Sequence, residues 1–130
     1  MKKEIIQTNK APQPIGCYSQ AIRIGNTVYL SGQIPLDPQT GKIIEGDFRA
    51  QVQQVFKNIQ ALAEAAAGDL KDIVKLTVYL IDMSVFGTVN EVMESYFQKP
   101  YPARTTIAVT ALPKNVPIEI DALMVVINDY

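Results

Sequence analysis

None of the 130 residues is histidine, and that absence narrows the possible chemistry more than any residue present. Without imidazole there is no Ser-His or Cys-His nucleophile system, the commonest general base is missing, and most zinc sites are excluded. A single cysteine, Cys17, rules out an intrachain disulfide framework and leaves almost nothing for a structural zinc. Twelve Lys and Arg stand against thirteen Asp and Glu, for a net charge of −1. They form no basic cluster, so the electrostatic footprint of a nucleic-acid binder is lacking. No apolar run approaches the roughly 20 residues that span a bilayer. The basic start Met1-Lys2-Lys3 meets Gln7, Thr8 and Asn9 too soon for a signal-peptide core, and a cytoplasmic protein is expected. Neither GxxxxGK[ST] nor GxGxxG occurs, so no nucleotide cofactor is expected. Any catalysis must run on carboxylates, tyrosines, hydroxyls, backbone groups, water and Arg.

What is present describes one ordinary domain over 1–130. A 48% hydrophobic and 19% charged composition can supply a buried core. Glu4 to Thr8 reads as a short strand, and Ala11 to Gly16 as an irregular turn-rich segment. Ser19–Ile24 alternates polar and apolar, Gly25-Asn26 supplies a tight turn, and Thr27–Leu30 returns, which is a hairpin. A loop is expected from Ser31 to Pro38. From Asp47 the period changes: Phe48, Val52, Val55, Ile59, Leu62 and Ala66 form one stripe on a helix, with Asp47 as N-cap and Gly68 as the C′ stop. Ile73–Ile81 is a nearly continuous apolar strand, expected to be central. Ser84 is the expected cap of a second helix with stripe Val85, Val89, Val92 and Tyr96, ended by Pro100 and Pro102. Two β-branched runs close the chain. The order is β-β-β-α-β-α-β-β, an α/β (α+β) arrangement in which two helices cover only one face of a six-stranded mixed sheet. The other face, with residues such as those of Val74–Ile81 and Leu123–Ile127, is too apolar for water, which predicts a closed symmetric oligomer.

Arg104, near the start of the run Pro102–Val109, is the first candidate for function. A guanidinium cannot be neutralised to escape burial, so it must reach solvent, pair with a carboxylate, or await an anionic ligand. Glu119, in Ile118–Ile127, could be its internal partner or could orient or deprotonate water. If the last two strands pair antiparallel, their starts lie far apart, and a shared pocket must draw on different strands or subunits. Tyr18 offers a ring wall and a hydroxyl, or is an ordinary half-buried Tyr at a strand start. Ser31-Gly32 could present backbone groups to a ligand or form a simple turn. Asn90 is either a polar group held for a pocket or the edge of a solvated face. Cys17 has no basic neighbour and reads as a small buried hydrophobe.

Taken in order, Gly16-Cys17-Tyr18-Ser19-Gln20-Ala21, Ser31-Gly32-Gln33-Ile34-Pro35, Val89-Asn90, Pro102-Ala103-Arg104-Thr105-Thr106 and Ile118-Glu119-Ile120-Asp121-Ala122 resemble the RidA (YjgF, liver perchloric-acid-soluble protein) family from end to end. The resemblance implies a chorismate-mutase-like fold, a homotrimer with pockets at the subunit interfaces, and no cofactor or metal. It implies hydrolysis of reactive 2-imino acids and their enamine tautomers, such as 2-iminobutanoate and 2-iminopropanoate, to 2-oxo acids and ammonia. Carried over residue by residue, Arg104 grips the substrate carboxylate and Glu119 holds the attacking water. Tyr18 lines the pocket, Ser31, Gly32 and Asn90 add polar or backbone contacts, and the backbone of Thr106 helps position the substrate. Thr106 stands where many members have Cys, and Cys17 where many have Pro, which relaxes the turn before Tyr18. Two other readings remain: a non-catalytic 2-oxo acid-binding or chaperone-like trimer, and an RNA-directed ribonuclease or translation inhibitor. The charge balance and the missing histidine weaken the last.

Overall fold

The computed structural model describes residues 1–127. The expected element order is present: β1 (Glu4–Ile6), β2 (Ala21–Ile24), β3 (Thr27–Gln33), α1 (Phe48–Ala65), β4 (Ile73–Leu80), α2 (Phe86–Tyr96), β5 (Ala103–Ala108) and β6 (Ile118–Val125). The six strands form one mixed sheet in the order β1-β2-β3-β6-β4-β5. Only the β4–β5 pair is parallel, joined through α2 as a crossover connection requires. The last two strands therefore do not pair with each other. β4 lies between them, antiparallel to β6 and parallel to β5.

The hairpin closes as the sequence indicates. Ile24 pairs with Thr27, leaving the two-residue turn Gly25-Asn26, and Gly25 takes the positive φ of 59° that this turn needs. β3 runs further than expected, through Ser31 and Gly32 to Gln33. Leu30 pairs with Ala122 and Gln33 with Ile120, so three steps on β3 match two on β6. The extra residue makes a β-bulge rather than a turn.

Asp47 caps α1, its carboxylate accepting from Ala50 N at 2.9 Å. The stripe is buried as spaced from Val52 to Ala66, with Phe48 only partly buried, and Phe56 joins it, fully buried with ring centroids 5.5 Å from both Tyr96 and Phe97. Each such side chain contributes roughly 1.5–3 kcal/mol of burial. The helix stop departs from expectation: Ala67, not Gly68, takes the left-handed conformation (φ 64°). Gly68 N donates to Ala63 O and Ala67 N to Glu64 O, the paired bonds of a Schellman end. Gly68 is needed for space instead, because a Cβ there would come within 2.5 Å of Met124 Cε. At the second helix, Asp82 rather than Ser84 is the cap; its carboxylate accepts from Ser84 N and starts a 3₁₀ turn that leads into α2.

Both helices lie on one face of the sheet. That face buries Val28, Leu30, Leu76, Val78, Leu80, Ile118, Ile120 and Met124. β4 is an interior strand, as expected, and burial along β4 and β6 alternates strictly from Leu76 and Ile118 onward, so their second face stays open within one chain. The open face carries Ile5, Tyr29 and Ile107, exposed at 67%, 52% and 41%, beside Leu123 and Val125.

Candidate active site

The candidate residues fall into two groups. The first surrounds Glu119. Its carboxylate lies over Gly32 in the β3 bulge, where a Cβ would overlap it, so glycine is needed there for close approach. Ser31 ties the bulge to the preceding segment: its hydroxyl donates to Ser19 O at 2.6 Å and its N–H to Gln20 O at 3.0 Å. Tyr18 stands half exposed, its hydroxyl accepting from Ile15 N at 3.3 Å. Tyr18, Gly32 and Glu119 share a cavity of about 290 Å³ with Pro12, Ile34 and Leu36. Burial raises the proton affinity of the Glu119 carboxyl, and the negative charge of Asp121 raises it further. Such a carboxyl is suited to exchanging a proton with water.

The second group surrounds Arg104. The guanidinium donates from Nη1 to Asn90 Oδ1 at 2.6 Å and touches Met93 Sδ at 3.6 Å. Its carbon lies 5.0 Å from the Phe86 ring centroid, a cation–π arrangement. Among the described residues no carboxylate forms a salt bridge with it; the ion pair found is Arg49–Glu91, at the surface. A cavity of about 420 Å³, lined by Asn90, Met93, Glu94, Tyr101, Pro102 and Arg104, opens beside it, and Glu94 forms no salt bridge with the guanidinium. Thr106 lies two residues along β5 on the same face, and its buried hydroxyl has no hydrogen-bond partner.

The two groups do not meet within one chain. Arg104 pairs in register with Leu76, whose side chain faces the helices, whereas Glu119 pairs with Tyr79 on the open face. The internal Arg104–Glu119 salt bridge is thereby excluded. Cys17, expected to be buried, is exposed, in the turn between Ile15 and Tyr18, both of which line the first cavity.

Sequence reasoning missed the residues that hold the walls. Buried Gln20 accepts from Thr8 N and donates to Thr8 O, Ala11 O and Pro12 O, pinning the irregular segment beside Tyr18. Asn58 of α1 donates to Ile34 O and Leu36 O, fixing the opposite wall. Its spacing from Val55 and Leu62 already placed an amide on the buried stripe, a signal that it serves a backbone rather than solvent.

Known proteins match this chain along almost its whole length. The family model described as Endoribonuclease L-PSP matches residues 8–126. A RutC family protein of Pyrococcus abyssi is 50% identical over 95% of this chain and 97% of its own. A protein of Dermatophagoides farinae named 2-iminobutanoate/2-iminopropanoate deaminase is 45% identical over 95% and 97%. The crystal structure of RidA from an Antarctic Psychrobacter superposes with a TM-score of 0.92 at 50% identity, covering 95% and 99% of the two chains. With a family model spanning both halves of the site and relatives matched at full length, the chain belongs to the Endoribonuclease L-PSP family, that of the YjgF and RidA proteins.

Proposed function

We propose that this protein is a deaminase that hydrolyses 2-imino acids, 2-iminobutanoate and 2-iminopropanoate among them, to 2-oxo acids and ammonia. The observation that carries the reading is an Arg104 guanidinium held in place by Asn90 yet paired with no carboxylate among the described residues, beside an open cavity. A substrate carboxylate can accept hydrogen bonds from that guanidinium in the cavity, each charge-assisted bond contributing roughly 1.5–3 kcal/mol. The names of relatives at about 45% identity support the same reaction.

In this mechanism Arg104 and the backbone of Thr106 hold the substrate, with Asn90 orienting the guanidinium. Tyr18, Ser31 and Gly32 shape the Glu119 half. Glu119 accepts a proton from water as its oxygen adds to the carbon of the protonated imine, whose nitrogen becomes an amine. Glu119 then returns that proton to the amine and takes up the proton of the new hydroxyl as the C–N bond breaks, releasing ammonia and leaving the 2-oxo acid. Placement and polarisation supply much of the acceleration, since the imine is already electrophilic. Because Arg104 and Glu119 occupy opposite faces of one sheet, the complete site unites two subunits. The apolar open face is the natural contact of a closed homotrimer.

The test couples a threonine dehydratase to semicarbazide trapping of the imine it releases. Adding this protein is expected to speed 2-oxobutanoate formation at the expense of the trapped adduct. An equal effect from Arg104→Ala, with the oligomer intact, would overturn the assignment.

A further inference from the structure

Glu119 is not the only carboxylate on its strand face. Glu119 and Asp121 alternate with buried Ile118, Ile120 and Ala122, so both project from the open face. Two steps along a strand set them roughly 7 Å apart. Tyr79 of β4 pairs in register with Glu119, but its hydroxyl donates diagonally to Asp121 Oδ2 at 2.9 Å. That hydrogen bond ties Asp121 to β4, and the Tyr79 hydroxyl does not donate to Glu119.

We propose that Asp121, fixed by the Tyr79 hydroxyl, is a positioning residue that sets a second carboxylate beside the one that works on the water. The inference rests on the deaminase reading for its purpose, though not for its geometry. Within one chain the surroundings leave the charge uncompensated. From β4, Lys75 shares this face, but its ammonium donates to Thr105 Oγ1 at 2.7 Å, on the β5 side away from β6. From β3, the bulge brings Gly32 and no charge to Glu119. From β6 itself, Asp121 is the neighbouring titratable group. Among the described residues no cation forms an ion pair with either carboxylate. Two like charges on one half-buried face destabilise the fold, and such a local conflict is characteristic of a functional site. The effects on proton affinity agree with the geometry. Burial and then the Asp121 charge raise Glu119, while Tyr79 is raised chiefly by its bond to Asp121.

The experiment follows the side-chain carboxyl of Glu119 by ¹³C NMR titration in the intact oligomer, alongside the pH profile of imine hydrolysis. In Asp121→Asn the Glu119 midpoint is expected to fall by roughly half a unit or more. The acid limb of kcat/KM falls with it, and Asp121→Glu restores both. A merely structural role would lower activity without moving the limb. An unmoved Glu119 midpoint in a folded Asp121→Asn oligomer would overturn the proposal. Should that variant not fold, Tyr79→Phe decides: it releases Asp121 from β4, the Glu119 midpoint is expected to fall, and an unchanged midpoint would overturn the proposal. Wild-type inactivity toward imines would sink the deaminase reading alone, since the NMR midpoints would still decide the coupling.

Discussion

Arg104 and Glu119 stand on opposite faces of the same sheet, with β4 running between their strands. Arg104 reaches toward α2, where Asn90 holds it at 2.6 Å, while Glu119 lies over Gly32 on the open side. One chain thus carries two half-sites, and their separation gives the proposed function a sharp test. If both residues act in one reaction, neither half suffices alone. Inactive Arg104→Ala and Glu119→Gln proteins, co-refolded in equal amounts, should regain about a quarter of the wild-type sites when subunits mix at random in a closed ring. Recovery is read by the trapping assay. No recovery from verified mixed oligomers would argue that the half-sites never meet.

Arg104→Ala should lower kcat/KM about 100-fold or more, the equivalent of roughly 3 kcal/mol, because the substrate carboxylate loses a bidentate partner. Arg104→Lys keeps the charge but not the fork and should recover only part of that loss. Asn90→Ala should raise KM more than it lowers kcat, since the guanidinium remains but is no longer oriented. Steady-state kinetics across a range of substrate concentrations separates these outcomes.

Gly32→Ala places a methyl where the Glu119 carboxylate lies. The carboxylate must swing away, so turnover should fall by an order of magnitude or more while the melting temperature changes little. A stable, fully active variant would show that Glu119 works from another position.

Glu119→Gln should stabilise the protein at neutral pH while abolishing turnover. Burial and the Asp121 charge give Glu119 a folded-state proton affinity above its unfolded value. Its ionised form therefore destabilises the fold above the raised midpoint. That penalty fades as pH falls through the midpoint toward the ordinary carboxylate value. The melting-temperature gain of Glu119→Gln should accordingly be largest near pH 7 and shrink toward about pH 4. Calorimetry across this range checks both sign and window.

Asn58→Ala removes the donor that serves Ile34 O and Leu36 O, two carbonyls of the cavity wall. Leaving such groups unsatisfied costs about 1–3 kcal/mol. Denaturant unfolding should show that loss, and activity should drop with it as the wall relaxes.

Periodicity alone was enough for the elements. The change from alternation to a spacing of four and three at Asp47 marked α1, and Gly25-Asn26 marked the hairpin, because local backbone chemistry governs both. Where the reading slipped, longer-range packing had the deciding role. Gly68 was expected to end α1 by its conformational freedom, yet Ala67 takes the positive φ and Gly68 makes room for Met124. Ser31-Gly32 was read as loop, although pairing with β6 extends β3 through it as a bulge. Cys17 is exposed because the segment around it follows the bonds of Gln20, contacts that spacing does not encode.

By itself the sequence determined the chemistry available: no imidazole, one thiol, a strand arginine and a nearby carboxylate, with two helices too few to cover both sides of a sheet. Residue type and local period dictate those properties in any conformation. Only the tertiary structure decided that β4 separates the last two strands, that Arg104 has an amide for a partner rather than an acid, and that it faces away from Glu119. Side-chain direction reverses at every strand residue, and which strands become neighbours depends on the whole chain closing around its core.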